Sequence, residues 1–198
     1  VIKYILSSVV FLISLSILSQ EDSVKSFLEK YNSVNSLHIV FDASFSGGDL
    51  PLKKGEIYFR KPEELKLILK NNIILSDGEV VRTYNSKLNR VVISNIEEYD
   101  TPLNLGDMLN ILLNSKNIET LGEVEGKIGF RISNVDIENV NFIDVFTDEN
   151  YIVKNLLIHQ TDNNELKIVF ELFELNPSNI ESAFKLKFPD NARVIDLR

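Results

Sequence analysis

The chain has 198 residues, 44% of them hydrophobic, a net charge of −8, and neither cysteine nor tryptophan. That length suffices for one domain with a real core, and the core must hold without disulfides. Its basic residues are scattered singly or in pairs, without the basic patch that phosphate backbones require, which argues against nucleic-acid binding.

Residues 1–20 read VIKYILSSVVFLISLSILSQ: one cation, Lys3, then an apolar run from Tyr4 to Leu18, then polar residues. The run is shorter than the ~20 apolar residues of a membrane span. Its order of charge, apolar stretch and small residue predicts a secretory signal peptide, cleaved after Ser19 or Gln20. Residues 21–198 are then a single exported, soluble domain with no cysteine to carry a lipid anchor.

Over 22–34, Val24, Phe27, Leu28 and Tyr31 recur at helical spacing and predict an amphipathic helix. The period then changes to two. Leu37, Ile39, Phe41, Ala43 and Phe45 alternate with largely polar neighbours and predict a half-buried strand ending at Gly47-Gly48. In GEIYFRKPEELKLIL, residues 55–69, Ile57, Phe59 and Lys61 share one face, and after Pro62 so do Leu65, Leu67 and Leu69. Strands follow at 55–61, 64–70, 72–76, 79–85 and 88–94, with turns at Asp77-Gly78 and Asn85-Ser86. TPLNLGDMLNILLNS, residues 101–115, places Leu105, Met108, Leu109 and Leu112 on one helical face, and Leu103, Ile111 and Leu113 widen that stripe. Such a helix seeks contact on more than one side, either as a core plug or as a cover. Further strands are predicted at 118–124, 127–135, 140–148, 151–160 and 165–175, and a last one through Phe184, Leu186 and Phe188.

The short connections favour antiparallel pairing, and the whole reads as one α+β domain. A sheet of that size curls as strand twist accumulates, and a curved sheet has an inside to be filled.

Catalytic and metal motifs are missing from the sequence. The two histidines, His38 and His159, fall on separate strands and read as solvated, so no zinc site or nucleophilic triad is expected. Gly47-Gly48 lacks the third glycine and following helix of a nucleotide fingerprint. The acidic pairs Glu63-Glu64, Glu97-Glu98 and Asp148-Glu149 fall at turns or strand ends, where solvated charge is the ordinary state. The sequence therefore predicts a protein that is not an enzyme and uses no cofactor or metal.

Four landmarks in order carry a family resemblance: GEIYFRKP, LSDGEVVRTYN at 75–85, TPL at 101–103 and FKLKFPDNARVID at 184–196. With them the chain resembles the LolA-like family of periplasmic outer-membrane lipoprotein carriers over its whole mature length. The resemblance implies an incomplete, curved antiparallel β-barrel of about ten or eleven strands with an α-helical lid over a hydrophobic cavity. It further implies that acyl chains lie against Phe41, Ile57, Phe59, Leu65, Leu67 and Leu69, under Leu103, Leu105, Met108, Leu109 and Leu112 of the lid. The family's lid latch, a basic residue before the proline, corresponds to Lys61, which either bonds to the lid or snorkels into water. The implied partners are acylated lipoproteins, an inner-membrane lipoprotein-releasing ABC transporter and an outer-membrane lipoprotein receptor, served by a periplasmic monomer. A lipid-binding sensor and a carrier of another lipid or glycolipid are the alternatives. The chain departs from the family pattern at Phe41-Asp42-Ala43, Arg82, Ser86 and Leu65.

Overall fold

A computed structural model describes residues 22–48, 54–98, 111–112, 115, 117–185 and 188–198. The signal-peptide reading, and lid residues Leu103, Leu105, Met108 and Leu109, lie outside the described residues.

Helix α1 spans 22–32 and turns into the sheet through Val34, whose N–H bonds to the Tyr31 carbonyl at 3.1 Å. Twelve strands follow: β1 (Ser36–Phe45), β2 (Lys54–Arg60), β3 (Glu64–Ile68), β4 (Asn72–Ser76), β5 (Val80–Asn85), β6 (Arg90–Asn95), β7 (Ile118–Val124), β8 (Lys127–Ser133), β9 (Val140–Thr147), β10 (Val153–Gln160), β11 (Glu165–Leu175) and β12 (Arg193–Asp196). They form one curved sheet in the order β12-β6-β5-β4-β3-β2-β1-β11-β10-β9-β8-β7. Two antiparallel meanders, β1 to β6 and β7 to β11, are joined in the middle where β1 pairs with β11. Among the described residues the sheet is open, with β7 and β12 as its two edges. Among the described residues its strands number twelve rather than ten or eleven.

Alternation on this frame sorts side chains cleanly by face. Cross-strand partners share a face, so the register of Leu37 with Phe59, Phe59 with Leu65, Leu65 with Ser76, Ser76 with Val81 and Val81 with Ser94 defines one row of the inner face. A second row runs from Ile39 through Ile57, Leu67, Ile74 and Thr83 to Val92. Helix α1 lies on this face at the other half of the sheet. The Phe27 ring packs 4.6 Å from Phe130 of β8, and Tyr31 lies 6.4 Å from Phe173 of β11. Phe27, Leu37, Ile39, Phe59, Phe130 and Val145 belong to the one core that results, and all are buried.

Turn chemistry fixes the hairpins. In the Ser76-Asp77-Gly78 turn, the Asp77 carboxylate accepts from the N–H groups of Val80 (2.8 Å) and Glu79 (3.2 Å), and Gly78 takes φ +94°. Asp148 does the same for Asn150 and Ile152, at 2.9 and 3.0 Å. Gly55 answers a different need. A Cβ there would lie 2.8 Å from the ring of its cross-strand partner Phe41 and 3.1 Å from Leu69, so the glycine lets that ring lie across β2.

Of the predicted last strand, Phe184 and Phe188 do not lie in a strand, and Leu186 lies outside the described residues. After β11 the chain forms the short helix α2 (Ile180–Ala183), and Phe184 and Phe188 that follow it lie against the outer face as parts of a strap. Arg60 bonds to both Glu64 and Glu181, and its guanidinium lies 5.2 Å from the Phe184 ring. The Lys66 ammonium donates to the Ala183 carbonyl at 2.6 Å, and Phe188 packs 5.8 Å from Tyr84. These aromatic residues hold to cations and a tyrosine on the strands beneath them, which strand periodicity alone does not reveal. The strap ends as β12, which pairs parallel with β6 and sets Val194 beside Val91.

Candidate functional site: the inner wall of the sheet

The sequence-predicted wall residues come together. Phe41, Ile57, Phe59 and Leu67 are buried on the inner face, and Leu65 and Leu69 stand beside them half-buried. Of the predicted lid, residues 111–112 are helical, and the Ser115 N–H bonds to the Ile111 carbonyl at 2.9 Å, as a helical turn requires. Leu112 is only 3% exposed and joins the same core as Phe41 and Ile57, with Ile111 packed against it. The end of the predicted helix thus covers the wall rather than standing away from it. Connectivity agrees, since 96–117 joins β6, next to one edge of the sheet, to β7 at the other.

Cover is uneven. Over β8 to β11, α1 seals the inner face and leaves Phe130, Ile132, Ile143, Val145, Ile158 and Ile168 buried. On β4 to β6, burial falls off along each strand toward the β3–β4 and β5–β6 hairpins: Ser76, Val81 and Ser94 are buried, whereas Ile74, Thr83, Asn85 and Arg90 are half-buried. Ile74, Leu65 and Leu69 are likewise apolar and half-buried. An apolar wall of this kind, continuous with a core yet not closed by it, is a surface on which a hydrocarbon chain gains roughly 0.8 kcal/mol per methylene.

Lys61 sits just past β2 at a turn, half-buried, with its N–H bonded to the Asn35 carbonyl at 2.9 Å. Its ammonium has no partner among the described residues. The neighbouring Arg60 is the engaged cation, but it faces outward and holds the C-terminal strap. Strand alternation puts these two residues on opposite faces. The strap that makes Arg60 structural has no local signal.

Both histidines lie on the outer face, and neither is simply solvated. His38 stacks on Tyr58 at 4.3 Å between Glu56 (2.8 Å) and Glu174 (3.5 Å). His159 stacks on Phe142 at 4.2 Å between Asp144 (3.1 Å) and Glu165 (3.2 Å). The Tyr58 hydroxyl donates to Glu56 at 2.7 Å, and burial together with that carboxylate pushes it up to about 12. Burial pushes the Glu56 carboxyl up, but bonds from Tyr58 and His38 outweigh it and hold Glu56 below its usual value. Arg131 forks onto buried Asp144 at 2.7 and 2.9 Å and lies 4.0 Å over Phe142. These clusters are cross-strand braces on the outside of the sheet.

No family model and no curated protein matches the chain. Among solved structures it is similar to an uncharacterized conserved protein from Thermus thermophilus, at 10% identity and TM-score 0.53, over 88% of this chain and 99% of that one. It is also similar to the Mycobacterium tuberculosis lipoprotein LppX, at 12% identity and TM-score 0.45, over 79% and 95% of the two chains. A LolA superfamily protein from Nitrosomonas europaea gives 7% identity and TM-score 0.37, over 82% and 97%. The Thermus protein shares the fold across nearly all of both chains. The architecture itself is the one that the sequence resemblance implied: an open, curved, mostly antiparallel sheet, with helical residues against its inner face.

Proposed function

We propose that this protein is an exported carrier that takes lipoprotein acyl chains against its inner wall and moves them through the periplasm from the inner to the outer membrane. It acts as a monomeric binding protein and not as an enzyme. An inner-membrane ABC transporter loads it, and an outer-membrane receptor unloads it. The observation that carries this reading is the half-buried apolar group Leu65, Leu69 and Ile74, continuous with the core yet left incompletely covered.

The energetics suit a carrier. A sixteen-carbon chain is worth on the order of 12 kcal/mol when fully buried, which would hold cargo too tightly to release. A cover that competes for the same wall reduces the net affinity, because loading must first displace Leu112 from its apolar neighbours. Lys61, at the rim and without a carboxylate partner among the described residues, is positioned to bond to carbonyls of a closed cover and lose them on opening.

Native mass spectrometry of the protein recovered from its own periplasm tests the proposal. A triacylated lipoprotein in the bound fraction is the expected result. A bound free lipid or glycolipid would assign the same wall to another lipid transport route. A ligand-free protein that also fails to bind fatty-acid probes would overturn the carrier reading.

A further inference from the structure

One row of the inner face changes chemistry from strand to strand. It begins with Phe41 of β1 and Gly55 of β2, passes Leu69, whose N–H bonds to the Asn72 carbonyl at 2.8 Å, and continues through Asn72, Asn85, Arg90 and Arg193. Each step is one strand, about 4.8 Å. An aromatic and an aliphatic side chain thus give way to two amides and then to two guanidinium groups side by side.

The polar end is held but not satisfied. Asn85 donates to the Asn72 side-chain oxygen at 2.7 Å and accepts from the Leu88 N–H at 2.9 Å, which fixes both amides. The Arg90 Nε is buried with no hydrogen-bond partner. Buried guanidinium donors normally find acceptors, so an orphan on an inner face marks a place for one. Among the described residues, neither Arg90 nor Arg193 forms an ion pair. Lys70 and Lys87 stand on the two turns at this end, which are pinned together by the Ser86 N–H to the Asn71 carbonyl at 2.9 Å. Four cations gathered at one corner of a chain whose net charge is −8 make that corner attractive to anions.

We propose that Arg90, with Arg193 and the Asn72 amide, is a subsite for the anionic head group of an amphiphile whose chains lie on the Leu69 and Ile74 side of the wall. The shared chemistry is a phosphate or carboxylate, met by charge-assisted bonds from a planar fork. This inference rests on the acyl-binding wall of the carrier reading and widens its cargo to amphiphiles with an anionic head group. The position follows from the register. Apolar surface and cations meet on one row of one face, where burial falls off and a head group reaches water while its chain stays covered.

The test uses the delipidated full chain and two probes of equal chain length, myristoyl lysophosphatidate and monomyristoylglycerol, competed against a fluorescent fatty acid. Wild-type protein is expected to prefer the anionic probe by about tenfold at low salt, with the preference shrinking as ionic strength rises. R90Q/R193Q should abolish the preference and leave monomyristoylglycerol binding unchanged, while R90K keeps part of it. Should the double variant fail to fold by circular dichroism, the salt dependence of the wild type decides. Equal affinity of the wild type for both probes, or a preference that survives R90Q/R193Q, overturns the subsite but leaves the carrier reading intact. Displacement of lysophosphatidate by inorganic phosphate at equal concentration also overturns it, in favour of a free-anion site. Failure of both probes to bind the wild type overturns the carrier reading and the subsite together.

Discussion

The Tyr31 hydroxyl donates to the Tyr151 carbonyl at 3.0 Å and accepts from the Val153 N–H at 3.3 Å. With this pair of bonds the last turn of α1 is tied to the turn between β9 and β10, 120 residues away in the chain. Burial pushes the phenol well above its ordinary range, so the hydroxyl stays protonated and the donor role is permanent. This contact and the packing of Phe27 on Phe130 hold the seal over one half of the inner face.

Tyr31→Phe keeps the ring but leaves a half-buried carbonyl and a buried N–H without this partner. The expected loss is about 1–3 kcal/mol in urea unfolding. Tyr31→Ala should cost more, about 3–5 kcal/mol, because a cavity opens against Phe27 and Phe173. A Phe variant as stable as the wild type would show that the two bonds add nothing.

Asp144 and Arg131 brace β9 to β8 on the outer face. Asp144→Ala should cost about 2 kcal/mol, moderated because the Arg131 side chain keeps 31% exposure and finds water. A double-mutant cycle with Arg131→Ala should show coupling of about 1 kcal/mol or more. Additive effects would mean that the fork contributes no stability of its own.

Acid should weaken the fold through its turn carboxylates. Burial pushes Asp148 up, but its bonds from Lys154 and the Ile152 and Asn150 N–H groups outweigh that and hold it below the usual 3.8. The same balance holds for Asp77, with Arg82 and the Val80 and Glu79 N–H groups. A lowered folded value means that the unfolded chain binds more protons. The stabilisation is therefore complete above pH 3.8 and is lost as pH falls through the folded values. Urea midpoints measured from about pH 6 down to about pH 2 should fall, and D77N/D148N should fall less steeply. Parallel slopes for the two proteins would contradict this assignment.

Amide exchange should report the cover. In the proposed carrier cycle, loading with an acyl chain displaces the buried Leu112, and protection across 101–115 is expected to change. Leu112→Asp places a carboxylate against apolar neighbours and should give the empty protein the exchange pattern of the loaded one. Identical protection in empty, loaded and variant protein would rule out a displaceable cover.

Much of this molecule was readable locally. Period-two runs located eleven of the twelve strands among the described residues, because each buries one face, and carboxylates at Asp77, Asp148 and Asp162 marked turns through bonds to backbone two residues on. The apolar wall residues Phe41, Ile57, Phe59 and Leu67 followed from the same alternation. Edge strand β12 escaped, since four mostly exposed residues carry no burial pattern. The strap escaped as well: its aromatic residues answer to Arg60 and Tyr84, which lie far earlier in the chain.

Which residues share a strand face is thus a property of the sequence, because alternation is covalent geometry. Which strand lies beside which is not. The pairing of β1 with β11, the parallel addition of β12, and the row that brings Leu69, Asn85, Arg90 and Arg193 together are non-local choices. They follow from burying both meanders in a single core, and only the folded chain meets that demand.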